Sequence, residues 1–125
     1  MAERYLELSS KYLSEGWRFL KEGDLQQASD KFWGAAAEAI KALAEVRGWP
    51  HHRYRQLMEV LSRLFAETKD EELLKLRAMA EALHSNFYEE YMGREEVEVH
   101  AKAVERLVEK LKALAFQASG KGSSR

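Results

Sequence analysis

Arg77, Glu81, His84 and Tyr88 recur at intervals of three and four residues, and this spacing is the chain's best candidate for chemistry. On a helix of 3.6 residues per turn all four, with Tyr91, lie within about 40° of the line through Arg77. A histidine titrates near neutrality and moves protons to or from a hydroxyl. A guanidinium stabilises the extra charge of a phosphate in a transition state. Glu81 and Tyr88 stand beside them as supporting groups. The line runs between an apolar stripe (Leu76, Ala80, Leu83, Phe87) and a second flank of Leu74 and Met92. Glu71, Lys75, Ala82, Asn86 and Glu89 fall nearly opposite and read as the solvated face. An ordinary reading fits the same residues. Arg77 and Glu81 make an i,i+4 surface pair worth roughly 0.2–0.5 kcal/mol, and His84 and Tyr88 then cap the edge of a core.

A second cluster, Trp49-Pro50-His51-His52-Arg53-Tyr54-Arg55, is basic and aromatic. Its His51, His52, Arg53 and Arg55 suit a phosphate held at a helix N-terminus, and its rings suit a stacked base. The plain alternative is a solvated turn. It is no metal site, because adjacent histidines leave a helix on different sides and no carboxylate joins them. Trp17 and Trp33 sit at helical spacing and read as core. His100, between Val97 and Val104, reads as a satisfied border histidine. No phosphate loop, Ser-His-Asp arrangement or zinc spacing occurs, so no cofactor is expected.

Five helices are predicted to position these groups, and no strand. The first spans about Ala2 to Glu22, with Tyr5, Leu8, Tyr12, Leu13, Trp17 and Leu20 on one face. Gly23 stops it. Asp24 caps the second, with Gln27 completing a capping box. That helix runs to about Arg47 on a stripe of Leu25, Ala28, Phe32, Ala36, Ala39, Leu43 and Val46. Its small-residue centre, Gly34 to Ala37, admits a closely packed neighbour. Gly48-Trp49-Pro50 makes a turn, with Pro50 tolerated at a first helical position. The third helix is placed at about His51 to Thr68. The fourth is capped by Asp70 and runs to about Met92, before Gly93. The fifth covers about Glu95 to Phe116. Short links between long helices force antiparallel neighbours, so the fold class is all-α, an up-and-down helical bundle. The first two helices resemble a tetratricopeptide hairpin, but no 34-residue period follows, which excludes a repeat array.

The composition agrees. The chain has 125 residues, enough for one domain, with 46% hydrophobic residues to fill a core. The domain is placed at residues 1–116, with residues 117–125 as a disordered tail. Cysteine is absent, which excludes disulfides and thiolate chemistry. A net charge of −1 gives no bulk attraction to nucleic acid or membrane, so any anion site must be local. No apolar run is long enough to span a bilayer, and no signal-peptide core opens the chain. A cytoplasmic location and no membrane partner are therefore expected. One asparagine, no cysteine and a 33% charged content lean towards a thermophile. The two apolar flanks of the fourth helix call for a second partner, most simply another copy, so a homodimer is expected.

The phrase Leu83-His84-Ser85-Asn86-Phe87-Tyr88-Glu89, within the run from Leu76 to Glu89, resembles the fourth-helix signature of the HEPN superfamily. It is closest to the archaeal PaREP-type families generally placed near that superfamily. The segment from Asp24 to Ala28, leading into Phe32 to Leu43, is similar to the HEPN second helix. The resemblance covers roughly residues 3 to 115. It implies a HEPN-like bundle that dimerises. It also implies a nucleotide- or RNA-directed module of the kind found in toxin–antitoxin and defence systems, where a nucleotidyltransferase antitoxin is a partner. In active members an Arg and a His with four to six residues between them form a metal-independent ribonuclease site across the dimer. Arg77 and His84 have six between them. Ala78 stands where such motifs usually carry a polar residue. The resemblance also admits a non-catalytic interaction module, since many HEPN proteins only bind.

Overall fold

Gly23 and Asp24 turn the chain between its first two helices. Gly23 is left-handed (φ 84°), and its N–H reaches back to the Leu20 carbonyl. Asp24 then accepts from the Gln27 N–H at 3.0 Å. The computed structural model describes the backbone of residues 1–123 and the side chains of residues 1–117. Among the described residues there are five helices and no strand: α1 Ala2–Glu22, α2 Leu25–Arg47, α3 Tyr54–Thr68, α4 Glu71–Glu89 and α5 Arg94–Ser123. They form an up-and-down bundle. The helix α5 carries past the Phe116 boundary drawn from the sequence, and the side chains of the expected tail beyond Gln117 lie outside the described residues.

The centre of the bundle is α2. The sequence predicts a single inward stripe for it. The structure buries every residue from Ala35 to Ile40, and Ala42, Leu43 and Ala44 besides. A helix apolar on all sides is a core helix, and α2 packs against all four others. Two glycines set its approach to α1. A Cβ on Gly16 would lie 2.7 Å from the Phe32 ring, and one on Gly34 would lie 3.2 Å from the Tyr12 ring. Each helix thus presents a ring to the other's glycine. Ser9 Oγ, fully buried, donates to the Ala35 carbonyl at 2.7 Å and seals the same seam. Val46, assigned to the inward stripe, is exposed instead.

Long-range polar contacts fix the other helices. Trp17 Nε1 donates to Glu105 Oε2 at 2.7 Å, so this tryptophan is a half-buried tie to α5 as well as a core ring. Arg94 Nη2 donates to the Leu20 and Lys21 carbonyls and caps the C-terminus of α1. Lys110 of α5 binds both Asp70 and Glu72 at the start of α4.

Expectations for α3 and α4 are corrected. The helix α3 begins at Tyr54, not His51, and Pro50 lies in the turn. Gln56 Oε1 accepts the N–H groups of both His52 and Arg53 (2.9 and 3.0 Å), which fixes the start there. The helix α4 ends at Glu89, not Met92. Asn86, read as part of the solvated face, is 1% exposed and is the cause. Its Oδ1 accepts from Tyr91 and Met92 N–H, both at 2.8 Å, and its Nδ2 donates to Ser29 Oγ of α2 at 2.9 Å. Met92 is therefore drawn into the chain's own core and supplies no outer flank.

Candidate functional site

The imidazole of His84 lies flat on the indole of Trp33, with centroids 4.6 Å apart and planes 4° from parallel. Trp33 projects from α2 at the rim of the core, so it is the floor of the site and not plain core as the sequence suggests. Tyr54, the first residue of α3, brings its ring to 5.8 Å from His84 and 5.9 Å from Trp33. Tyr88, one turn on from His84, stands 5.6 Å away and is 68% exposed. Four rings from three helices meet here. Neither nitrogen of His84 has a hydrogen-bond partner among the described residues, and the side chain is half-buried.

Arg77 faces a different neighbour. Its Nη1 donates to the Met58 carbonyl at 3.1 Å and to Ser62 Oγ at 3.0 Å, both on α3. Its Nε is 3.9 Å from Glu81. His84 lies seven positions further on, or about 10 Å along the axis at 1.5 Å per residue. Within one chain the two groups are linked only indirectly. Glu81 accepts a hydrogen bond from the Tyr54 hydroxyl, and the Tyr54 ring adjoins His84. Burial and this carboxylate push the Tyr54 phenol up to about 12. The sequence does not carry this link, because no pattern within α4 names a residue on α3.

The turn cluster divides. His51 points inward, 6% exposed, with its ring edge-on to Tyr5 at 5.6 Å and Nε2 3.4 Å from Glu45. Its Nδ1 is buried without a partner. A buried imidazole does not reach a phosphate, so the expected role for His51 fails. His52, Arg53 and Arg55 remain exposed. Gln56 already occupies the N–H groups of His52 and Arg53, which removes those two as anion donors. Trp49 lies apart, between the guanidinium groups of Arg47 and Arg63 (5.2 and 4.2 Å). Among the described residues no group of three His, Asp or Glu is placed to hold a metal ion. His100 Nδ1 donates to the Glu96 carbonyl of its own helix (2.7 Å), as a border histidine does.

Fold and site together define an all-α antiparallel bundle whose fourth helix carries a half-buried histidine stacked on a tryptophan of the second. The chain belongs to the archaeal PaREP1/PaREP8 family, whose model matches residues 4–108. It is similar to a protein from Sulfolobus solfataricus known from its crystal structure, with 26% sequence identity and a TM-score of 0.76. The match covers 86% of this chain and 95% of the other. No curated protein matches the chain. No helix among the described residues is long and apolar enough to cross a membrane.

Proposed function

We propose that this chain is a HEPN-like, RNA-directed module that acts as a homodimer, with His84 as the proton-transfer group and Arg77 as the phosphate-stabilising group. The observation that carries the reading is His84 itself. Its ring is oriented by Trp33, while neither nitrogen has a hydrogen-bond partner among the described residues. The ring is only half-buried, so its polar edge is open to a ligand as well as to water. The separation of Arg77 from His84 along α4 calls for a second copy to bring one chain's arginine towards the other's histidine. A toxin–antitoxin setting, with a nucleotidyltransferase as partner, fits such a module.

Purified protein should cleave single-stranded RNA in EDTA, and His84→Ala should lower the rate by roughly 10²–10⁴. Arg77→Lys, which keeps the charge but loses the fork to Met58 and Ser62, should also lower it, with the helical circular dichroism retained. Failure to cleave any RNA, or cleavage that survives His84→Ala, would sink the catalytic reading. One observation favours a non-catalytic interaction module instead: the donors of Arg77 already hold α3 to α4. On that reading Arg77→Lys lowers stability and no RNA is cut.

A further inference from the structure

We infer that the head of α3 and the aromatic line of α4 form one binding surface for single-stranded RNA, with bases stacking on Tyr54, His84 and Tyr88 and phosphates held by Arg53 and Arg55. This rests on the RNA-directed reading and extends it from a residue pair to a surface and a form of substrate. The two clusters appear as rivals in the sequence, 30 residues apart, and Tyr54 joins them. It belongs to the turn by position and to the α4 site by contact, through its hydroxyl on Glu81 and its ring beside His84.

The rings suit unpaired bases. Tyr54 is 46% and Tyr88 is 68% exposed. Their planes are tilted 36° and 60° from that of His84. Such splayed faces accept bases separated from one another, whereas a duplex keeps its bases stacked and paired inside. Stacking on aromatic faces is also tolerant of base identity.

The charge fits a phosphate backbone on one side of those rings. Arg53 and Arg55 flank Tyr54 in the chain, and both are exposed. Among the described residues Arg53 has no carboxylate within ion-pair distance. Arg55 meets Glu59 at 3.4 Å with both side chains largely in solvent (90% and 60%), a pair weak enough to yield to phosphate. Glu81, the carboxylate within the cluster, is already engaged by Tyr54 and faces Arg77.

The test is fluorescence anisotropy of a labelled oligouridylate and of a duplex of equal length, titrated with the full chain at several salt concentrations. Single-stranded RNA should bind more tightly than duplex. Tyr88→Ala should weaken it roughly 5- to 150-fold, the range for loss of one stacked base. The double variant Arg53→Ala, Arg55→Ala should reduce the slope of log affinity against log salt by about 1.4, two phosphate contacts on a single strand. All three side chains are exposed, so circular dichroism should not change. Equal binding of duplex overturns the inference. So does oligouridylate binding that ignores both variants, and that result leaves the Arg77/His84 reading standing. Failure of the wild-type chain to bind any single strand overturns both.

Discussion

Asn86 is the chain's single asparagine, and its amide uses both its donor and its acceptor in the interior. It ends α4 by taking two N–H groups from the chain beyond, and it ties that end to Ser29 of α2. Asn86→Ala leaves the Met92 N–H buried and unpaired, and should cost about 2–3 kcal/mol in urea unfolding. Ser29→Ala removes a single partner and should cost about 1 kcal/mol. Equal losses would mean that the α2 contact, and not the chain reversal, is what Asn86 holds. Tyr54 gives a second residue-level test. Its phenol is pushed up to about 12 by burial and by Glu81. The folded pKa lies above the ordinary value of 10, so the neutral form stabilises the fold below pH 10, and that contribution fades as pH rises from 10 towards 12. In a tyrosinate absorbance titration one of the five tyrosines should ionise late. Tyr54→Phe should remove that late step and leave the rest. A titration unchanged by the substitution would break the Tyr54–Glu81 link.

The elements show which features a sequence carries locally. Gly23, Asp24, Gly48 and Asp70 act within a few residues of themselves, and the helix ends they mark are where the sequence places them, although the expected capping box is only half formed, since the Asp24 N–H goes to the Phe19 carbonyl and not to Gln27. The end of α4 and the start of α3 were misplaced, because the groups that set them act outside the helical pattern: Asn86 reaches forward past the helix and across to α2, and Gln56 reaches back to the turn. The meeting of Tyr54 and Trp33 with His84 is not legible in the sequence for a similar reason: which ring meets His84 depends on how three helices pack. Gly16 could have been read as a close-approach position but says nothing alone about its partner. Gly16→Ala should cost about 1–3 kcal/mol through the clash with Phe32, offset by up to about 1 kcal/mol of helix propensity. Phe32→Leu in that background should recover part of the loss in Tm. A pH test belongs to the α4–α5 junction. Hydrogen bonds from Lys110 hold the Asp70 and Glu72 carboxyls below their ordinary values. Their folded pKa values lie below the unfolded ones, so the contribution is present above the ordinary carboxylate range and is lost as pH falls through the lowered values. Lys110→Met should therefore lower Tm at neutral pH, and the gap from the native chain should close in acid. A gap that persists at low pH would show that the lysine acts through packing.

At the scale of the whole molecule the question is whether one chain suffices. Met92 is turned inward, so the apolar flank that suggested a partner surface on α4 is reduced to the half-buried Leu74. What α4 offers outward is aromatic: Tyr88 on the helix and Tyr91 just past its end, both more than half exposed. The stronger case for a second copy comes from distance. Arg77 and His84 are about 10 Å apart along one helix, and Arg77 is turned to α3 while His84 lies on Trp33. One phosphodiester does not span that gap with both groups in hydrogen-bond reach, whereas a two-fold axis can bring the arginine of one chain to the histidine of the other. If so, light scattering at micromolar concentration should give about twice the 14.4 kDa chain mass. Subunit mixing then makes a sharper test. His84→Ala and Arg77→Lys chains should each be strongly impaired as pure dimers. A mixed dimer of the two rebuilds one intact site, with its arginine from the first chain and its histidine from the second. Random exchange should restore about one quarter of the native sites. Recovery of RNA cleavage on mixing would place the reaction between subunits. A mass of one chain, or a mixture as inactive as its parents despite verified exchange, would rule out a site shared across the dimer.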